Sequence, residues 1–158
     1  MLFLFAMLLT LWFAPSALAG EFTGQVVAVL EGDRIEVLRN KRPERIRLSG
    51  IDCPEQRQPF GEEAKEATAA LVLGKEVTLQ FHSKDKDRRT VATVVLSDGT
   101  NVNHELVKEG WCWWYPKSGP MDKAMKRFES EARAGKRGLW ADQYPVPPWE
   151  WQKWRERP

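Results

Sequence analysis

From Phe22 onward the apolar positions recur with two different periods, and the switch between them divides the chain into elements. Phe22 to Leu30 is a run rich in β-formers. Ile35 and Val37 then alternate with Arg34 and Glu36, Ile46 and Leu48 with Arg45 and Arg47, and Val77, Leu79 and Phe81 with Thr78 and Gln80. A period of two is that of a strand with one buried face, and Val91 to Leu96 predicts a fifth such strand. Between the third and fourth strands, Ala64, Ala67, Ala70 and Leu71 fall at helical spacing within Glu62–Leu73. Gly74 follows, the residue type that ends helices because it takes a left-handed backbone without a Cβ clash. Asn101–Lys108, ended by Gly110, and Met121–Ala134, ended by Gly135, predict two more helices.

The predicted order is βββ-α-ββ-α-α, an α+β arrangement. Five strands with a helix between the third and the fourth is the order expected of a five-stranded OB-fold β-barrel, here with three helices, and such barrels commonly bind oligonucleotides on their open face. At 158 residues the chain is long enough for one domain and shows no internal repeat. Lys and Arg number 24 against 22 Asp and Glu, a net charge of +2. No global field would hold a polyanion, so any nucleic-acid binding must come from local clustering.

The two ends read differently from the middle. Met1 to Phe13 is almost wholly apolar, and Ala17-Leu18-Ala19 supplies the small residues that precede signal cleavage, which predicts a signal peptide over 1–19 and a secreted or periplasmic protein. No Lys or Arg precedes the apolar run, so an uncleaved membrane anchor is the alternative, against which stands a run shorter than the ~20 residues a span needs. The globular domain is expected over 20–142. The remainder, 143–158, is a Pro/Trp-rich tail containing PVPPWEWQKWRERP, read as an extended terminal arm. Arg155 and Arg157 beside Trp154 offer it an alternative use, contact with a nucleic-acid strand.

Export makes the two cysteines readable. Cys53 and Cys112 can pair, closing a long loop and stabilising a small domain by about 4 kcal/mol, or can remain as buried thiols. Zinc is poorly served, since only His82 and His104 could join them and neither lies at a ligand spacing.

Candidate chemistry is confined to short stretches. Gly32-Asp33 opens the second strand and Asp52-Cys53-Pro54-Glu55 follows the third, so three carboxylates fall at the ends of strands expected to be neighbours. Carboxylate and backbone oxygens suit a hard cation, Ca²⁺ or Mg²⁺. Pro54 keeps Cys53 out of the helical region and its carbonyl free. Taken alone, Gly-Asp and Asp-x-Pro are ordinary turn chemistry. Cations change that reading: Arg47 lies close before Asp52, and Lys84-Asp85-Lys86-Asp87-Arg88-Arg89 forms a second group. Strict alternation would put Arg47 and Asp52 on opposite faces, and Gly50 is the residue that would let them converge. Hydrolysis of a phosphodiester needs cations on the nonbridging oxygens and a group to orient or deprotonate water. Arginine suits the first of these roles because its planar fork bonds phosphate in two places.

Gly32-Asp33, Arg47-Leu48-Ser49-Gly50-Ile51-Asp52-Cys53-Pro54-Glu55, Arg89-Thr90-Val91-Ala92, Asp98-Gly99, Asn101-Val102-Asn103 and Glu105-Leu106-Val107 together resemble the staphylococcal nuclease (thermonuclease) family, over about Phe22 to Trp140. The resemblance implies an OB-fold barrel with three helices and a calcium-dependent nuclease acting on DNA or RNA, a monomer with no stable protein partner. It implies Asp33, Asp52 and the backbone carbonyl of Cys53 as calcium ligands, Glu55 on the attacking water, Arg47 and Arg89 on the phosphate, and a 3′-phosphate product. It also implies that Cys53 and Cys112 lie close enough to bridge. Where members carry an aromatic and a glycine before the second arginine, this chain has Asp87 and Arg88; Lys86, Arg88 and, among the aromatics after the second helix, Tyr115 are the substrate-binding candidates. A non-catalytic OB-fold module that binds nucleic acid is the alternative function, and an envelope-associated interaction protein using the tail is a third.

Overall fold

In the computed structural model, which describes residues 20–156, the elements follow in the order β1 (Glu21–Glu31), β2 (Arg34–Arg39), β3 (Arg42–Leu48), β4 (Ile51–Asp52), α1 (Gly61–Val72), β5 (Glu76–Lys84), β6 (Thr90–Leu96), α2 (Val102–Lys108), β7 (Trp113–Trp114), α3 (Lys123–Ala134) and α4 (Pro148–Arg155). The expected leader, 1–19, and Arg157 lie outside the described residues. Strand β1 pairs antiparallel with β5 at its start, Phe22 opposite Leu79, and with β2 further on, Val26 opposite Val37 and Val29 opposite Ile35. Register irregularities after Val26 and after Val29 bend it from one neighbour to the other. The barrel runs β1-β2-β3-β6-β5 and closes on β1, with β3 and β6 parallel and every other contact antiparallel. Closure gives each of the five barrel strands a partner on both sides, which removes the open edges of a flat sheet.

The period-two positions fill the barrel. Ile35, Val37, Ile46, Leu48, Val77, Leu79, Ala92 and Val94 are all buried, and Ala64, Thr68 and Val72 on one face of α1 are buried with them. The five expected barrel strands are present, and the three expected helices lie within two residues of their predicted bounds. The shifts have a cause. Asn101 and Asp122 are extended, non-helical residues whose side chains accept the N–H groups of His104 at 3.1 Å and Ala124 at 2.9 Å, so they cap α2 and α3 rather than begin them.

Asp122 Oδ2 also shares a 2.5 Å hydrogen bond with His104 Nε2. Burial would raise the Asp122 carboxyl, but the bonds from His104 and Ala124 outweigh it and hold the group below its ordinary 3.8. A depressed carboxyl stabilises the fold above its unfolded value and loses that contribution as pH falls through the folded one. Asp122→Ala is therefore expected to lower stability by about 1 kcal/mol at neutral pH. In denaturant titrations the gap from the parent should narrow below about pH 4; a gap independent of pH would show that the carboxylate is not what caps α3.

One expectation is corrected. The Pro/Trp tail is not an extended arm but turns into a fourth helix, α4, with Pro147 as its cap and Pro148 at its first position. Proline is favoured there, since the first turn has no intrahelical use for its missing N–H. The helix is held onto the domain by Trp149, edge-on to Trp113 at 5.7 Å and stacked on Tyr115 at 5.2 Å. Just before it, Gln58 Nε2 donates to the Val146 carbonyl at 2.6 Å. Trp113, Ala132, Leu139 and Trp140 form a second apolar cluster that Phe60 and Trp149 flank. Among the described residues no helix is long and apolar enough to cross a membrane.

Candidate active site

Three elements converge beside the barrel. The turn between β1 and β2 carries Asp33, and it is packed tightly: a Cβ on Gly32 would lie 2.8 Å from Cys53 Cβ, and Thr68 of α1 donates to the Gly32 carbonyl at 2.6 Å. Arg47, one residue before the end of β3, lies opposite Arg34, and the Asp33 carbonyl accepts the next N–H, that of Leu48, at 2.9 Å. The chain then turns at Ser49-Gly50, Gly50 having φ +73°, a value that only glycine takes without strain. Buried Asn103 fixes this turn by donating to the Ser49 carbonyl at 2.9 Å while its Oδ1 accepts the Val94 N–H at 3.0 Å. The reversal brings Asp52 back onto Arg47: Arg47 Nη2 lies 3.3 Å from Asp52 Oδ1 and 3.8 Å from Asp33 Oδ2.

The two aspartates are 1% and 7% exposed, yet share one arginine. Burial pushes Asp33 upward against the pull of Arg47 and Arg34. Burial, then repulsion by Asp33, pushes Asp52 up to about 7. Asp33 Oδ2 and Arg47 Nε are buried without a hydrogen-bond partner. A buried carboxylate oxygen without a partner is costly unless a cation satisfies it. A hard divalent ion fits this donor set. Among the described residues no group of three or more His, Cys, Asp or Glu side chains forms a metal site, so the other ligands would be backbone or water oxygens.

Strand β4 pairs with β7, Ile51 opposite Trp114 and Asp52 opposite Trp113. Continuing that register sets Cys53 opposite Cys112, and a disulfide joins them across a Cα separation of 4.2 Å. The bridge is thus one rung beyond Asp52.

A cleft of about 730 Å³ opens beside Arg47 and Asp52, lined also by Lys84, Lys86, Arg89, Tyr115, Lys117, Trp149 and Gln152. Its cations come from separate segments of a chain that is almost neutral overall, so the basic surface is local. Arg89 is fixed in it: Nε donates to Asp85 Oδ2 at 2.7 Å and Nη2 to Asp87 Oδ2 at 2.8 Å, while Asp85 Oδ1 accepts two backbone N–H groups of the same loop. Arg88, at φ +61°, is exposed and does not line the cleft.

Glu55 stands on the irregular segment between β4 and α1. Its carbonyl accepts the Gln58 N–H at 2.8 Å and its N–H donates to Gln58 Oε1 at 3.2 Å. Its carboxylate is bonded from α4, Oε1 by Gln152 Nε2 at 2.7 Å and Oε2 by Arg155 Nη1 at 2.8 Å.

Residues 45–142 match the family described as Staphylococcal nuclease homologue. Over 140 residues the chain is 40% identical to an uncharacterized endonuclease of Escherichia coli O157:H7, covering 89% of this chain and 91% of that one. Over 142 residues it is 37% identical to a micrococcal nuclease of Shigella flexneri, covering 84% and 82%. The chain belongs to the staphylococcal nuclease family. Nuclease is thus its enzyme class, with nucleic acid as substrate, and the closed five-stranded barrel with helices is the OB-fold of that family.

Several residues around the nuclease site carry no motif. Glu31, at the end of β1, is pushed up by burial and then by Asp33 and Glu55, and pairs with Arg34 at 3.0 Å. Gln58, Trp149, Gln152 and Arg155 brace the Glu55 segment. A signal for α4 exists in Pro-Pro-Trp-Glu, a proline at the first helical position followed by an acidic first turn, but the same prolines also read as an extended chain.

Proposed function

We propose that this nuclease is calcium-dependent and hydrolyses DNA or RNA to 3′-phosphate ends, with Asp33, Asp52 and the Cys53 carbonyl holding the ion. The observation that carries the reading is the buried Asp33–Asp52 pair, which shares Arg47, has Arg34 no nearer than 3.8 Å to Asp33, and leaves Asp33 Oδ2 without a hydrogen bond. Calcium bound there would offset negative charge on the nonbridging phosphate oxygens. Arg47 holds the phosphate with donors that include its unpartnered Nε, and Arg89 does so from an orientation already set by Asp85 and Asp87. Glu55 takes a proton from water as the water oxygen bonds to phosphorus; the bond from phosphorus to the 5′-oxygen breaks, and that oxygen takes a proton from solvent while Glu55 later returns its own to solvent. Lys86 and Tyr115, both lining the cleft, contact the substrate. Single-stranded DNA should be cut with Ca²⁺ present, with loss on the order of 10²-fold or more in EDTA and recovery on adding Ca²⁺ back. Cleavage that survives chelation would remove the ion from the reading, 5′-phosphate ends would reverse the bond cut, and binding without cleavage would favour the non-catalytic module.

The same nuclease is proposed to act outside the cytoplasm. The apolar Met1–Phe13 run with Ala17-Leu18-Ala19 and the Cys53–Cys112 disulfide support this together, because disulfides persist in oxidising compartments. N-terminal sequencing of the exported protein should begin at Gly20; a retained Met1 would indicate the anchored form.

A further inference from the structure

The Pro/Trp tail lies beyond the family match, which ends at residue 142, yet it reaches the carboxylate on which the proposed chemistry depends. Glu55 belongs to an irregular segment, and a carboxylate on such a segment must be oriented by something rigid to be useful. Helix α4 is placed rigidly enough to do this. Pro148 is buried, Trp149 is wedged between Trp113 and Tyr115, and the preceding Val146 carbonyl is tied to Gln58. Gln58 in turn bonds the Glu55 backbone in both directions. Backbone and side chain of Glu55 are therefore both referred to the tail.

We infer that Gln152 is a positioning residue for Glu55, fixing the carboxylate through Oε1 so that Oε2 is presented to the water. The inference rests on the role proposed for Glu55 in water activation. Gln152 suits positioning better than Arg155 on two grounds. Its amide is neutral and orients a carboxylate without cancelling its charge. It also lines the cleft and is half-buried, whereas the Arg155 side chain is 54% exposed. Glu55 itself is only 14% exposed, so Oε2 becomes available when the exposed Arg155 side chain swings out into water and Gln152 alone keeps the carboxylate in place.

The test is a double-mutant cycle read in kcat, KM and melting temperature, on single-stranded DNA with Ca²⁺ and the full chain. Gln152→Ala is expected to lower kcat about tenfold with KM within about twofold and melting little changed. In a Glu55→Gln background the same substitution should have no further effect, because a positioning residue acts only through the group it positions. Gln152→Glu keeps the size and removes the donor, so it gives the same reading should the alanine variant fold poorly; its loss should be the larger. Unchanged kcat in both Gln152 variants, or an equal loss with and without Glu55, would overturn the inference. Full activity in Glu55→Gln alone would instead overturn the role of Glu55 itself.

Discussion

Glu55→Gln should lower kcat on single-stranded DNA by about 10²- to 10⁴-fold while KM stays close to that of the parent. The substitution is nearly isosteric and preserves an acceptor oxygen for Gln152 or Arg155, so the brace from α4 is kept in outline. It does not touch the backbone bonds between Glu55 and Gln58 that set the segment's path. What it removes is the capacity to accept a proton from water. Melting temperature therefore belongs in the measurement: a large fall in kcat with melting unchanged locates the loss in the chemical step. A kcat within a factor of a few of the parent would mean that water is activated elsewhere, and Glu31, close enough to feel the charges of Glu55 and Arg89, would become the next carboxylate to change.

The barrel is legible in the sequence because each of its strands buries one face, and burial of one face imposes a period of two that needs no knowledge of partners. Arg47 and Asp52 are legible in a subtler way. Alternation alone separates them, and the chain carries its own exception in Gly50, the one residue between them that takes φ +73° at no cost. Spacing places Asn101 and the segment around Asp122 in helices where both residues are caps, an error built into any pattern that counts residues rather than the direction of their hydrogen bonds.

The tail is not legible, and the basic cleft is legible in most of its residues, Arg47 and the Lys84–Arg89 group, but not in how they assemble with Lys117. Pro145-Val-Pro-Pro favours both an extended chain and a helix start, and the choice is made by tertiary burial of Pro148 and Trp149 against the second apolar cluster. Gln152 and Arg155 lie 97 and 100 residues from Glu55, and no local period connects them. The cleft's cations, Arg47, Lys84, Lys86, Arg89 and Lys117, are dispersed among acidic residues that point elsewhere or hold an arginine in place, so a net charge of +2 conceals a surface suited to phosphate.

Loss of the Cys53–Cys112 bridge has the largest effect expected on stability. The bridge spans a sequence separation of 59, and closing a loop of that length in the unfolded chain corresponds to about 4 kcal/mol. Against a total of about 5–15 kcal/mol for a domain, that is a large share, and the Cys53→Ala/Cys112→Ala protein should melt roughly 10–15 °C lower. Calcium affinity should fall much less. Asp52 is held by the β4–β7 pairing and by Arg47, and Asp33 by the Leu48 N–H, none of which passes through sulfur. The part most exposed to change is the packing of Gly32 against Cys53, where a missing sulfur leaves space beside the turn that carries Asp33. Melting curves with and without reductant, together with calcium titrations of the double variant, separate the two effects. Identical melting in both conditions would count against any bridge, and a calcium affinity that falls in step with stability would show that the disulfide, rather than the barrel ends, sets the geometry of the aspartates.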